Sequence, residues 1–97
     1  MTGPRVLLFV QNGCGHCHEY RKRFDPIADK LCRGKKIPVE LGDIARSRNA
    51  QMMADKYRVR ATPTTIGITK RGRTIRLEGA VPDADIMRMF EQVLVIS

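Results

Sequence analysis

The tetrapeptide Cys14-Gly15-His16-Cys17 lies between two segments of different periodicity. The run before it, Arg5 to Val10, is almost wholly apolar, which is typical of a strand buried on both faces. The segment from Gly15 to about Arg33 has apolar residues at helical spacing, so the cysteines fall where a strand gives way to a helix. Backbone N–H groups and the helix dipole stabilise an anion there. Two thiols at this spacing can close a small ring, so the pattern predicts a dithiol–disulfide redox site.

The rest of the chain predicts two further helices and three further strands. The strands are expected at Ile37–Leu41, Thr64–Thr69 and Thr74–Leu77, and the helices at about Ala45–Tyr57 and Pro82–Val95. Asp43 is placed to cap the second helix and Gly34 to end the first, while Pro26 is expected to kink the first or restart it.

The predicted order is therefore β-α-β-α-β-β-α. A right-handed crossover makes the first two strands parallel neighbours, and the closing hairpin adds an antiparallel edge. The expected fold class is α/β, with a four-stranded mixed sheet covered by helices on both faces. The length of 97 residues suits a single domain over residues 1–97.

Composition and charge exclude several classes of protein. No apolar run approaches the roughly 20 residues of a membrane span. The net charge is +8, but the basic residues are scattered and the chain has only two tyrosines, three phenylalanines and no tryptophan, so we expect no nucleic-acid partner. Three cysteines argue against a disulfide framework. With no secretory signal visible, we expect a cytoplasmic protein in which Cys32 is a small buried residue.

The chain resembles the thioredoxin superfamily, in its short form without the extra N-terminal strand and helix, over essentially its whole length. The anchors are Cys14-Gly15-His16-Cys17 after the first strand and Thr62-Pro63-Thr64 before the third. Leu41-Gly42-Asp43-Ile44 and the run from Lys56 to Arg60 are similar to thioredoxin at matching places, and Gly79-Ala80 is a weaker match.

The resemblance implies roles for the residues that match. Cys14 would attack a substrate disulfide and Cys17 would resolve the mixed disulfide. Pro63 would follow a cis peptide bond beside the dithiol, and the Thr62 backbone would pair with the substrate chain, with Gly79 also at the substrate site.

The residues between the cysteines, Gly15 and His16, would modulate the thiolate. His16 is the residue found at this place in protein disulfide isomerases, where an imidazolium favours the thiolate and makes the disulfide a stronger oxidant. We interpret His18 as a polar residue on the exposed first turn of the predicted helix.

The chain also departs from the family pattern. Thioredoxins and disulfide isomerases have a buried carboxylate six residues before the first cysteine, where this chain has Leu8, and thioredoxin has a tryptophan where this chain has Gly13. Glutaredoxins commonly have a lysine three residues before the first cysteine and a Gly-Gly after the last strand to hold glutathione. This chain has Gln11 and Gly79-Ala80 instead.

The expected function is a small, monomeric thiol–disulfide oxidoreductase that reduces protein disulfides. It would bind no cofactor or metal and would take electrons from a thioredoxin reductase with NADPH, or from glutathione. The alternatives are a glutaredoxin-like, glutathione-dependent oxidoreductase and a non-catalytic interaction subunit on the same fold.

Three other kinds of site share parts of this motif. Cys14 to His18 matches the C-x-x-C-H of covalent haem attachment, although Met52 and Met53, which could supply an axial ligand, are better explained by their helix. A zinc site from Cys14, Cys17 and a histidine lacks a second Cys or His pair. An iron–sulfur cluster shared by two chains through Cys14 occurs in some glutaredoxins.

Overall fold

A computed structural model describes residues 3–32, 34 and 37–95. Its elements, in chain order, are β1 (Arg5–Val10), α1 (Gly15–Cys32), β2 (Val39–Asp43), α2 (Arg48–Lys56), β3 (Thr64–Ile68), β4 (Thr74–Glu78) and α3 (Asp83–Val95). The strands form one sheet in the order β2-β1-β3-β4. β1 pairs in parallel with β2 and antiparallel with β3, and β4 is an antiparallel edge. The predicted fold class and strand arrangement are therefore confirmed.

The side chains of β1 point alternately into two hydrophobic clusters, one on each face of the sheet. Val6, Leu8 and Val10 pack with α1 and α3, whereas Leu7 and Phe9 pack with α2. Every residue of β1 after Arg5 is buried, as expected for a central strand with helices over both faces.

The second strand and second helix do not have their predicted bounds. β2 begins at Val39 and runs to Asp43, rather than from Ile37 to Leu41. The reason is its parallel register with β1, which pairs Val6 with Val39 and Val10 with Asp43. Because Asp43 belongs to the strand, it cannot cap the following helix.

Ser47, not Asp43, is the N-cap of α2. The Ser47 backbone is extended, and its Oγ accepts a hydrogen bond from the Ala50 N–H at 3.1 Å. The expected start of the helix at Ala45 was therefore wrong, because residues 44–46 form a turn. The Asp43 carboxylate accepts from the Ala45 N–H at 2.9 Å within that turn.

The ends of α1 and α3 are close to their predicted positions. α1 passes through Pro26 without ending, so the predicted restart was wrong. Gly34 has a φ of +75°, the left-handed conformation of a helix stop, whereas Arg33 lies outside the described residues. Pro82 precedes α3, and its carbonyl accepts from the Asp85 and Ile86 N–H groups.

Candidate active site

The loop between β1 and α1 places Cys14 at the start of the helix. Gly13 turns the chain with a φ of +86°. The Cys14 N–H donates to the Gln11 carbonyl at 3.0 Å, and the Cys14 carbonyl accepts from the His18 N–H at 3.2 Å. The Asp43 carboxylate at the end of the neighbouring strand accepts from the Asn12 N–H at 3.2 Å. The loop is thus fixed at both ends, and Cys14 occupies the N-cap position of α1.

The two cysteines differ in exposure. Cys14 is half-buried, whereas Cys17 is 4% exposed and belongs to the core cluster with Tyr20 and Phe24. These three core residues share one face of α1, because side chains three or four positions apart lie together on a helix. A substrate disulfide can therefore reach Cys14 but not Cys17.

The Cys14 sulfur has hydrogen-bond partners on the first turn of α1 and on Thr62. The Cys17 N–H donates to Sγ at 3.2 Å, and the Thr62 hydroxyl donates to it at 3.6 Å. When Cys14 is protonated, its thiol can instead donate to the Thr62 carbonyl at 3.8 Å. The surroundings of Cys14 thus offer donors to the thiolate and an acceptor to the thiol.

These contacts move the pKa values of the two thiols apart. Burial opposes ionisation of Cys14, but hydrogen bonds from the Cys17 side chain, the Thr62 hydroxyl and the N–H groups of Cys17 and His16 outweigh it, so the pKa of Cys14 is lowered. Burial raises the pKa of Cys17, and its hydrogen bond to Cys14 raises it further. Cys14 is therefore the thiol of the pair that ionises first.

The loop before β3 brings the predicted substrate-binding residues to the same place. The Thr62–Pro63 peptide bond is cis, and Pro63 is buried. The Gly79 N–H donates to the Pro63 carbonyl at 2.8 Å, so Gly79 lies beside this loop with a φ of +81°. Cys14, Thr62, Pro63 and Gly79 therefore form one contiguous site, although they come from three separate parts of the chain.

The residues between and after the cysteines are exposed. Gly15, His16 and His18 all lie on the surface of the first turn of α1. In the part of the chain that the structure describes, no hydrogen bond joins the His16 imidazole to the Cys14 sulfur, and it is the His16 backbone N–H that helps to lower the pKa of Cys14. The predicted role of the imidazole stays a prediction.

Leu8 is 2% exposed and lies beneath the site in the core cluster that contains Cys17. On the neighbouring strand, Thr65 is directly opposite Leu8 and fully buried. The position at which related proteins have a carboxylate is thus apolar, and it offers no proton acceptor to Cys17.

Cys32 is half-buried at the end of α1, not buried as expected. Burial and the nearby Asp29 carboxylate raise the pKa of its thiol. Among residues 3–32, 34 and 37–95, no three His, Cys, Asp or Glu side chains are grouped so that they could hold a metal ion. No helix in the same ranges is both long and apolar enough to cross a membrane.

Sequence reasoning missed two contributors to the site. It considered only the Thr62 backbone, whereas the Thr62 hydroxyl is a donor to the thiolate. It also predicted Asp43 as the cap of the second helix, whereas Asp43 ends β2 and its carboxylate holds the loop before Cys14. The presence of a hydroxyl residue immediately before Pro63 was the one available signal for the first contact.

Comparison with known proteins agrees with this fold. The family model for the thioredoxin-like domain matches residues 2–94. A thioredoxin from Thermus thermophilus is 25% identical, with a TM-score of 0.73 over 96% of this chain and 75% of that one. A thioredoxin-like protein from Clostridium perfringens has a TM-score of 0.78 at 20% identity, covering 98% of this chain and 74% of that one.

Mouse and human protein disulfide-isomerase A4 are each 28% identical over 88 residues, which cover 91% of this chain. The chain spans only 13% of the length of these curated relatives. With a four-stranded mixed sheet and a Cys-x-x-Cys pair at the start of α1, the chain belongs to the thioredoxin-like family.

Proposed function

We propose that the chain reduces protein disulfides by dithiol exchange through Cys14 and Cys17. The observation that carries the proposal is the Cys14 sulfur, which is accessible, has a lowered pKa and accepts hydrogen bonds from the Cys17 N–H and the Thr62 hydroxyl. A lowered pKa gives Cys14 a larger thiolate fraction, at a pH below that pKa, than an ordinary thiol has, and the thiolate is the nucleophile in disulfide exchange.

In the first step, the Cys14 thiolate attacks one sulfur of the substrate disulfide. A bond forms between the Cys14 sulfur and that atom, the substrate S–S bond breaks, and the other substrate sulfur leaves as a thiolate. The Thr62 backbone, next to Cys14, pairs with the extended substrate chain and presents its disulfide, as in strand addition. Gly79 leaves room beside Pro63 for that chain.

In the second step, Cys17 attacks the Cys14 sulfur and releases the reduced substrate. Cys17 must lose its proton as it forms this bond, because the pKa of its thiol is raised. Leu8 offers no carboxylate, so the proton passes to the departing substrate thiolate, whose negative charge grows as the mixed disulfide breaks. The substrate sulfur that left in the first step takes its proton from solvent, so the products are a Cys14–Cys17 disulfide and a substrate dithiol, with two electrons transferred.

A donor must then reduce the Cys14–Cys17 disulfide. We propose that the protein works as a cytoplasmic monomer and is recycled by a thioredoxin reductase with NADPH or by glutathione. An insulin-reduction assay run with each donor system tests both parts of this proposal. Turnover with one donor and loss of turnover in C14S are the expected results. Absence of turnover with both donors, in a folded protein, would contradict disulfide reduction.

A further inference from the structure

The turn that ends α2 contains a conformation that arginine rarely adopts. Arg58 has a φ of +55°, the one left-handed residue other than glycine among the described residues. Its N–H donates to the Asp55 carbonyl at 3.1 Å, and the Val59 N–H donates to the Ala54 carbonyl at 2.8 Å. This pair of bonds defines a Schellman motif with Arg58 at the position that glycine usually occupies.

The end of the helix does not need the charge of Arg58. The Arg76 guanidinium from β4 already donates to the Tyr57 carbonyl at 2.5 Å and to the Arg58 carbonyl at 2.6 Å. Lys56 places a second cation in the last turn of α2. Strained backbone conformations are found most often at functional sites. A function of the Arg58 side chain would explain why arginine, and not glycine, occupies this left-handed position.

Arg58 lines an open groove of about 430 Å³ that we call the Arg58 groove. Its walls are Tyr57, Arg58, Arg60, Ala61, Thr64, Arg76 and Glu78. Glu78, the one acidic residue of the lining, is bound to Arg76 at 2.6 Å. Arg58 and Arg60 are exposed and, within the described ranges, form no ion pair. Asp55, exposed in the preceding helical turn, has no ion pair with them either. The groove thus has two cations without a carboxylate partner.

The groove adjoins the active site. Ala61 in its wall is followed directly by Thr62, whose hydroxyl contacts the Cys14 sulfur. Arg60 is two residues from Thr62, which corresponds to roughly 7 Å of extended chain. A substrate chain paired with Thr62 would place residues near its reactive cysteine within reach of Arg58 and Arg60.

We infer that the Arg58 groove binds acidic side chains that flank the reactive cysteine of a protein substrate. This inference rests on the proposed function and adds a substrate class to it. Charge complementarity supplies the attraction, and each of the two arginine side chains can donate two hydrogen bonds to one carboxylate. A protein segment fits the site better than nucleic acid, because the groove opens beside a dithiol that takes protein disulfides and contains one aromatic residue, Tyr57.

Two peptide disulfides test the inference with the reduced full-length protein. The two peptides have the same sequence except beside the cysteine, where one has Glu and the other has Gln. One such pair varies the residues before the cysteine, and a second pair varies the residues after it. We expect the wild type to reduce one acidic peptide roughly three to ten times faster than its neutral partner. The ratio should fall toward one as salt is raised.

The double variant R58Q/R60Q should bring this ratio close to one. The matched control is R71Q/R73Q, which removes the same charge from the β3–β4 connection at the other end of the sheet, and it should keep the wild-type ratio. Equal wild-type rates for both peptides, or equal loss of the ratio in the control, would overturn the inference. Reduction of neither peptide would instead contradict the proposed function.

Two competitors test other occupants of the groove. A single-stranded oligonucleotide and S-methylglutathione, which has carboxylates but no thiol, are added to the acidic-peptide reaction. We expect neither to inhibit at concentrations comparable to the peptide. Inhibition by either one in the wild type, but not in R58Q/R60Q, would assign the groove to that ligand and overturn the inference.

Discussion

The Thr62 hydroxyl lies 3.6 Å from the Cys14 sulfur, although the two residues are 48 positions apart in the sequence. The same threonine offers its carbonyl to the Cys14 thiol at 3.8 Å. Thr62 therefore contacts the nucleophile in both of its protonation states. It also begins the segment that we propose to pair with the substrate, so one residue would take part in both thiolate stabilisation and substrate binding.

Removal of the Thr62 hydroxyl should raise the pKa of Cys14. In T62V the thiolate loses one donor, so the midpoint of the alkylation rate against pH should move to higher pH. At a fixed pH below that midpoint, the iodoacetamide rate should fall by roughly two- to tenfold, the effect of one hydrogen bond. T62S keeps the hydroxyl and serves as the control. An unchanged midpoint in T62V would contradict the contribution of this contact.

His16 should raise the reduction potential of the Cys14–Cys17 pair. A positive charge at position 16 would favour the thiolate and with it the reduced form, so the potential should lie above the roughly −270 mV of thioredoxin. H16Q, which keeps the backbone N–H that contributes to the lowered pKa of Cys14, should lower it by roughly 10–20 mV, which suits a charge that acts through solvent at an exposed position. Equilibration against glutathione measures both values. A wild-type potential at or below that of thioredoxin would refute the role of His16.

Ser47 should contribute to stability as the cap of α2. Its Oγ satisfies the Ala50 N–H at the start of the helix, and loss of such a cap costs about 1 kcal/mol. Urea denaturation should show this decrease for S47A, whereas S47T should stay near the wild type. Equal stabilities of S47A and the wild type would indicate that water replaces the cap without loss.

Arg58 should reduce stability through its left-handed backbone. Glycine adopts that conformation without the steric cost, but it also gives the unfolded chain more conformational freedom. The steric relief should exceed this entropic effect, so R58G should be more stable than the wild type by up to about 1 kcal/mol. The same variant should lose part of the preference for acidic peptides. Denaturation midpoints and peptide rates measured on one preparation test both effects. A less stable R58G would show that the Arg58 side chain stabilises the fold.

Most of the fold could be predicted from the sequence because its signals are local. The apolar run of β1, the stripe on α1 and the hairpin residues between β3 and β4 each predict their element without help from the others. The error at Asp43 arose because β2 takes its bounds from pairing with β1, and the register of a parallel strand is not visible in its own residues. Because β2 extends to Asp43, α2 begins later than predicted, at Arg48, with Ser47 as its N-cap.

The candidate site likewise combines features that have a local sequence signal with features that depend on tertiary contacts. The Cys14–Cys17 spacing and the position before a helix could be read directly from the sequence. The contact of the Thr62 side chain with sulfur and the groove at Arg58 depend on side-chain directions and on a left-handed backbone. The threonine before Pro63 shows that a hydroxyl is present but not where it points, and arginine gives no local signal for a conformation that glycine normally supplies.

Trapping of the mixed disulfide tests the central mechanism most directly. C17S keeps the Cys14 nucleophile and removes the resolving thiol, so mixing it with a disulfide-containing protein should produce a stable adduct that dithiothreitol releases. C14S should form none at neutral pH, because the remaining thiol of the pair, Cys17, is buried and has a raised pKa. Intact-mass spectrometry with peptide mapping, in a C32S background, should locate the adduct on Cys14. An adduct that forms on Cys17 in C14S, or no adduct in C17S, would contradict the account.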